Sequence, residues 1–264
     1  MNAFSGDWLA LREPHDNAAR STAVVAAVTD AVAHLPTLRI VDLACGTGST
    51  MRAVAPHLRQ GQSWRLIDNN LSLLARIPPG DNVTVAAIDI ARDLELALDG
   101  PIDLVTTSAL LDLVSAEWLE RLAVEIAVRT LPIYAALSYD GRIVFDPIDR
   151  MDAFVIAAVN KHQLTDKGFG PALGPAGAER AISRFRELSY TVIDRQSDWK
   201  LGPADQKMQL ELLAGWALAA GELGSIPGTG IADWLTRRGD QVAAGVSSIT
   251  VGHVDFFACH TATR

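Results

Sequence analysis

The chain has 264 residues, 49% hydrophobic and 20% charged, which excludes global disorder and leaves room for one large α/β domain with an appendage. A formal net charge of −8, with Lys and Arg scattered, argues against a nucleic-acid partner. Two distant cysteines, Cys45 and Cys259, form neither a disulfide framework nor a metal site and suit a reducing cytosol, and neither a signal peptide nor an apolar run long enough for a membrane span is read.

Residues 5–20 predict a short helix, a break at Pro14 and the start of a second helix. That second helix runs over 17–35, where Val24, Val25, Val28, Val32 and Leu35 recur at helical spacing before Pro36. A buried strand over 39–44 then breaks into Cys45-Gly46-Thr47-Gly48, and Ser49 and Thr50 begin a helix over 49–59. Strand, glycine loop and helix N-terminus together present backbone N–H groups and the positive end of a helix dipole to a bound group. The pattern is not Gly-x-Gly-x-x-Gly, because Met51 stands three past Gly48, and Gly-Lys-Ser/Thr is absent. Asp42, inside the strand's end, would repel a pyrophosphate and suits a ligand carrying an ammonium group.

The second strand, Trp64–Ile67, ends at Asp68, whose two oxygens can accept hydrogen bonds from both hydroxyls of a ribose. Asn69 and Asn70 follow as helix caps. The third strand, 83–87, runs into Ile88-Asp89-Ile90. After the Gly100-Pro101 turn, the fourth strand, 102–108, ends at Ser108 and leads into Ala109-Leu110-Leu111-Asp112-Leu113-Val114.

These stretches resemble the class I S-adenosylmethionine (SAM) dependent methyltransferases, most specifically over 40–114. The resemblance implies an α/β fold: a doubly wound, seven-stranded, mostly parallel sheet whose last strand inserts antiparallel between strands five and six. It implies SAM as cofactor and S-adenosylhomocysteine as product. It places Asp42, Ala44, Gly46 and Gly48 around the methionine part of SAM, with Asp42 and the Ser108 carbonyl near its amino group. It places Asp68 at the ribose, with Asn69 next to it among the cofactor-binding residues, Asp89 at the adenine amino group and Ile90 on the ring. It further implies that 1–36 form a helical lid, with Arg12, His15 and Arg20 able to meet a carboxylate of SAM or substrate. Residues 37–264 would be the catalytic domain.

Ser115 caps a helix over 116–131, which Pro132 ends; the fifth strand is 133–137, followed by Ser138-Tyr139-Asp140-Gly141-Arg142. Residues 142–178 exceed a minimal methyltransferase and are expected to form a substrate cover, containing a helix over 149–163 and a Gly/Pro-rich loop. Helices over 175–189, 203–222 and 231–244, a sixth strand over 191–195 and a last strand over 246–258 complete the chain. Met208, Leu212, Leu213, Trp216 and Leu218 are expected in the core, and Gly252-His253 marks a bulge.

Asp112 stands where many relatives with small substrates carry a His pair; it is read as a base or as the holder of a cationic substrate. Tyr139 and His162 are the other candidate bases. Substrate contacts are expected from Arg12, Arg20, Asp112, Tyr139, His162, Gln163, Lys167 and Phe169, with Asp166 beside them. No metal-ligand spacing appears. The absence of Asn/Asp-Pro-Pro-Tyr/Phe after strand four weakens a case for nucleic-acid bases. The reading is therefore methyl transfer to the oxygen or nitrogen of a small polar metabolite, by a monomer or homodimer. An RNA or protein methyltransferase and a non-catalytic SAM-binding protein are the alternatives, and the incomplete glycine pattern disfavours an NAD(P) oxidoreductase.

Overall fold

The computed structural model describes residues 5–58, 61–224 and 227–260. The first four residues of the expected lid and the last four of the chain lie outside them, as does residue 59, where the 49–59 helix was expected to end. The elements are α1 (Gly6–Ala19), α2 (Thr22–Val32), β1 (Leu38–Leu43), α3 (Ser49–Val54), β2 (Gln62–Asp68), α4 (Leu71–Leu74), β3 (Val83–Ala87), α5 (Leu94–Ala97), β4 (Leu104–Ser108) and α6 (Ala116–Val128). There follow β5 (Ile133–Asp146), α7 (Asp152–Gln163), α8 (Gly177–Glu187), β6 (Tyr190–Gln196), β7 (Trp199–Leu201), α9 (Gln206–Glu222), α10 (Gly228–Ala243) and β8 (Ser248–His260).

The strands form one sheet in the order β3-β2-β1-β4-β5-β8-β6. β1 to β5 run parallel, and β8 lies antiparallel between β5 and β6. β7 shares the free edge of β8 with β6, so eight strands occupy seven positions across the sheet. Strand order reverses between β1 and β4, which opens a crevice at the carboxyl ends of these strands.

Both sheet faces are covered, as parallel strands require. On one face Val24, Val28 and Val54 pack on Ile40, Leu66, Leu104, Tyr134 and Phe257. On the other, Leu119, Leu122, Ile126 and Phe185 pack on Leu43, Val105, Ile133 and Phe256. Ser115 caps α6 as expected, its Oγ accepting from the Trp118 N–H at 3.1 Å.

Three local readings change. Pro14 does not break the first helix: α1 is continuous to Ala19, and the chain turns at Arg20-Ser21. Pro14 gives up one backbone bond, while the Arg12–Asp16 pair spans it one turn apart. The fifth strand does not end at 137 but runs to Asp146. Bulges at Leu137 (φ +54°) and Gly141 (φ +91°) absorb the irregular residues, after which Ile143–Asp146 pair with β8 again. Leu218 is 61% exposed, although Met208, Leu212 and Leu213 are buried.

The extension of β5, the start of β8 and β7 carry a third core under α7, α9 and α10: Phe145, Val155, Trp199, Leu213, Trp234 and Ile249. Arg238 is fully buried there, 4.1 Å from the Phe145 ring and ion-paired with Asp152. Trp234 Nε1 donates to the same Asp152 at 2.9 Å. This lobe projects from the sheet beyond the carboxyl ends of the parallel strands.

Candidate functional site

The β1–α3 loop turns through three left-handed residues at alternate positions: Ala44 (φ +53°), Gly46 (φ +57°) and Gly48 (φ +80°). Gly48 is the N-cap of α3. The Gly46 N–H donates to Asp68 Oδ2 at 2.8 Å, joining the loop to the end of β2. Asp68 Oδ1 accepts from the Asn70 N–H at 2.8 Å, and Asn70 caps α4. Asn69 is exposed beside them. At the end of β3, Asp89 Oδ1 accepts from the Ala91 N–H at 3.1 Å, and the next residue, Ile90, is buried. Asp42, Ala44, Gly46, Gly48, Asp68, Asn69, Asp89, Ile90 and Ser108 thus all line the carboxyl ends of β1 to β4.

Asp42 is fully buried; Thr106 Oγ1 donates to its Oδ1 at 2.7 Å, and its Oδ2 has no partner. Burial pushes its pKa up to about 7, against the Thr106 hydrogen bond and the positive charge of Arg20. Arg20 enters from the α1–α2 turn. Its guanidinium donates to Ser108 Oγ at 3.0 Å and to Tyr134 Oη at 3.3 Å, while its buried Nε has no partner. Thr50 Oγ1 donates to the same Ser108 Oγ at 3.0 Å. Asp255 fixes the turn: it accepts from the Ser21 N–H at 2.9 Å and from the Leu137 N–H at 2.8 Å.

α1 crosses this crevice. A methyl group added at Gly46 would come 3.1 Å from Leu9 Cδ1, so Leu9 roofs the loop. Glu13 pairs with Arg52 of α3 at 2.7 Å, and Asp7 with Arg76 beyond α4 at 2.9 Å. Arg12 grips Asp16 at 2.9 and 3.1 Å and lies 4.8 Å over the Trp199 ring, whose Nε1 donates to Asp16 at 3.0 Å. His15 lies 4.0 Å from Asp205.

A second set of buried polar residues lies past the end of β4, at Asp112, and midway along β5 and β8, at Tyr139 and His253. Asp112 is buried with Oδ1 unpartnered; burial raises its pKa to about 6, partly offset by backbone hydrogen bonds and by the charges of Arg12 and Lys167. Tyr139 Oη donates to Asn160 at 2.7 Å, and burial raises its pKa. That geometry does not suit Tyr139 to accept a proton near neutral pH. His253, opposite Tyr139 in the β5–β8 ladder, is buried between Tyr139 and Trp199, with ring centroids 6.3 and 4.7 Å away. Its Nδ1 has no partner, and burial lowers its pKa to about 3.

The insert residues are not one cluster. His162 sits on the outer α7–α9 seam, its Nε2 2.8 Å from Glu222 and its Nδ1 3.3 Å from Lys167 Nζ. Gln163 ends α7 against Gly174. Asp166 caps its own loop through the Gly168 and Gly170 N–H groups. Phe169 instead meets the Trp118 ring edge-on at 5.1 Å, and Trp118 Nε1 donates to the Ile90 carbonyl at 2.7 Å. His253, Trp199, Asp16 and Asp255 were not singled out as site residues in the sequence. Asp255 had a signal, as a charge inside the apolar run Val254–Ala258. Trp199 and Asp16 had none, since the long-range packing of α1 on β7 brings them together.

Among the described residues, no group of three or more His, Cys, Asp or Glu side chains converges as a metal site requires, and no helix is long and apolar enough to cross a membrane. No protein-family model matches the chain, and no curated protein matches it by sequence. Its fold is nevertheless found among solved structures. A cyclopropane-fatty-acyl-phospholipid synthase-like protein from Lactobacillus casei ATCC 334 is similar with a TM-score of 0.55 and 15% identity, over 96% of this chain and 93% of that one. SAM-dependent methyltransferases from Thiobacillus denitrificans and Geobacter sulfurreducens, both in complex with S-adenosylhomocysteine, are similar at 0.46 and 0.47, with 13% identity over 98% of this chain and 100% of theirs. The chain has the class I SAM-dependent methyltransferase fold.

Proposed function

We propose that the protein is a SAM-dependent methyltransferase acting on a small polar acceptor in the cytosol. The observation that carries the reading is a pair of buried, unpartnered atoms of opposite character at the carboxyl ends of β1 and β4: Asp42 Oδ2, an acceptor, and Nε of Arg20, a donor whose guanidinium is held by Ser108. A buried guanidinium and a buried carboxyl, each short of a partner, are costly unless a ligand completes them. The amino-acid end of SAM carries an ammonium and a carboxylate, which match Asp42 and Arg20. Asp68 is open to ribose hydroxyls, since each of its oxygens holds only one N–H and can accept another bond. Asp89 and Ile90 border the place of the base. Both cysteines are free, in keeping with a reducing compartment.

SAM, when bound, supplies a methyl group already activated on a sulfonium, so the chain's task is to hold, orient and exclude water. α1 serves as the lid: Leu9 covers the loop, and the Glu13–Arg52 and Asp7–Arg76 pairs latch it. Being exposed, these latches contribute little each, about 1 kcal/mol or less, which suits a helix that must open. The lobe around α7 and the 164–176 loop serve as the acceptor cover, with Asp112 as the group that meets the acceptor. Transfer of labelled methyl from SAM to components of a metabolite extract tests the reading. An extract-dependent labelled product, absent with Asp68→Ala, is expected; binding of S-adenosylhomocysteine without turnover on any extract would favour a binding protein.

A further inference from the structure

Among the described residues three arginines are buried: Arg12, Arg20 and Arg238. Two of them are closed by an aspartate. Nε and Nη2 of Arg12 donate to the two oxygens of Asp16 at 2.9 and 3.1 Å, and the same two nitrogens of Arg238 donate to the two oxygens of Asp152. Such a fork satisfies a buried guanidinium and a buried carboxylate together. Arg20 is not closed in this way. Its Nε has no partner, and its other two nitrogens donate to neutral hydroxyls: Nη2 to Ser108 Oγ at 3.0 Å and Nη1 to Tyr134 Oη at 3.3 Å.

A carboxylate that could close Arg20 is near and is held off. Asp255 is fully buried, and the Tyr134 hydroxyl stands between the two, accepting from Arg20 and donating to Asp255 Oδ2 at 3.4 Å. The Ser21 N–H reaches the same oxygen at 2.9 Å, and the Leu137 N–H reaches Oδ1 at 2.8 Å. Three donors thus satisfy Asp255 without the guanidinium. Burial and the Asp255 charge both raise the Tyr134 pKa, so the hydroxyl keeps the proton it donates. Thr106 of β4 is in register with Asp42 of β1 and with Tyr134 of β5. One row across three strands therefore carries the open Asp42 carboxyl and the hydroxyl that holds Arg20.

We propose that Tyr134 is a positioning residue: its hydroxyl keeps Arg20 and Asp255 from closing on each other and leaves the Nε edge of the guanidinium to the carboxylate of the bound cofactor. The inference rests on the methyltransferase reading and deepens it, by assigning how the amino-acid end of the cofactor is recognised. Without the hydroxyl nothing separates Arg20 from Asp255, and a direct pair takes the edge that the cofactor needs.

The test is titration calorimetry on the full chain with S-adenosylhomocysteine and with the same molecule lacking its carboxylate, decarboxylated S-adenosylhomocysteine. The unmodified protein is expected to bind the first about tenfold more tightly or better. Tyr134→Phe is expected to weaken S-adenosylhomocysteine by about tenfold and to change the decarboxylated ligand by less than about twofold. A purely structural role would weaken both alike. Equal affinities on the unmodified protein, equal losses in the variant, or no loss with S-adenosylhomocysteine overturns the role of Tyr134. Should Tyr134→Phe fail to fold, Ser108→Ala removes the other neutral acceptor of the guanidinium. The same split is expected there, and equal losses or none overturn the proposal. Failure of the cofactor reading looks different, because the unmodified protein then binds neither ligand. Binding of both ligands without the split removes the positioning role alone.

Discussion

Asp42→Asn is expected to change the sign of its effect on stability with pH. The wild-type carboxyl is fully buried, and its pKa rises from 3.8 to about 7 on folding. The folded protein therefore holds this proton more tightly than the unfolded chain. Asp42 costs nothing below the unfolded value; its cost grows as pH rises and is complete above about 7. At about 1.4 kcal/mol per pH unit, the full cost is about 4 kcal/mol. Asparagine keeps the acceptor for Thr106 and removes the charge, but it leaves a buried amide N–H unpaired at about 1–3 kcal/mol. The variant without ligand should thus be more stable than wild type by about 1–3 kcal/mol at pH 8 and less stable by a similar amount below pH 4. Urea unfolding across this pH range measures the difference. The same variant should bind S-adenosylhomocysteine at least tenfold more weakly at pH 8, since a charge-assisted hydrogen bond to an ammonium is worth about 1.5–3 kcal/mol. A stability difference that does not vary with pH would refute the buried titration, and unchanged ligand affinity would remove Asp42 from the site.

Ala44→Gly should stabilise the protein by about 0.5–1 kcal/mol in chemical denaturation, because a left-handed alanine costs about 1–2 kcal/mol and the glycine's extra chain entropy returns part of that. A loss would show that the methyl group's packing outweighs the strain. Asp68→Ala should weaken S-adenosylhomocysteine binding by tenfold or more in calorimetry; an unchanged affinity would place the ribose elsewhere. Asp152→Ala leaves Arg238 charged, buried and unpaired, and should lower stability by about 3–5 kcal/mol in thermal unfolding. A loss under about 1 kcal/mol would mean that the lobe under α10 is not held by this pair.

What the sequence made legible was local. Arg39–Thr50 read as strand, glycine loop and helix start because β-branched residues, paired glycines and hydroxyl caps each constrain the nearby backbone. The acids ending β2 and β3 read for the same reason. The second lobe did not. Tyr139-Asp140-Gly141 looks like a turn by composition, and only the ladder to β8, more than a hundred residues on, turns it into a bulge within a long strand. Pro14 looked like a stop; the tertiary grip of Asp16 on Trp199 and of Glu13 on Arg52 carries the helix through it. His253 was visible only as part of a Gly-His bulge. Its surroundings of Trp199 and Tyr139 come from two separate stretches of chain, so no local spacing could announce them.

Titration calorimetry with S-adenosylhomocysteine at pH 8, with NADH as the control, tests the central claim most directly. The account predicts saturable 1:1 binding of S-adenosylhomocysteine in the micromolar range and none of NADH. It also predicts weaker binding as pH falls through about 7, where Asp42 takes up a proton that the ligand's ammonium must displace. A folded protein that ignores S-adenosylhomocysteine, or that binds NADH as tightly, would contradict the claim and leave the fold without this cofactor.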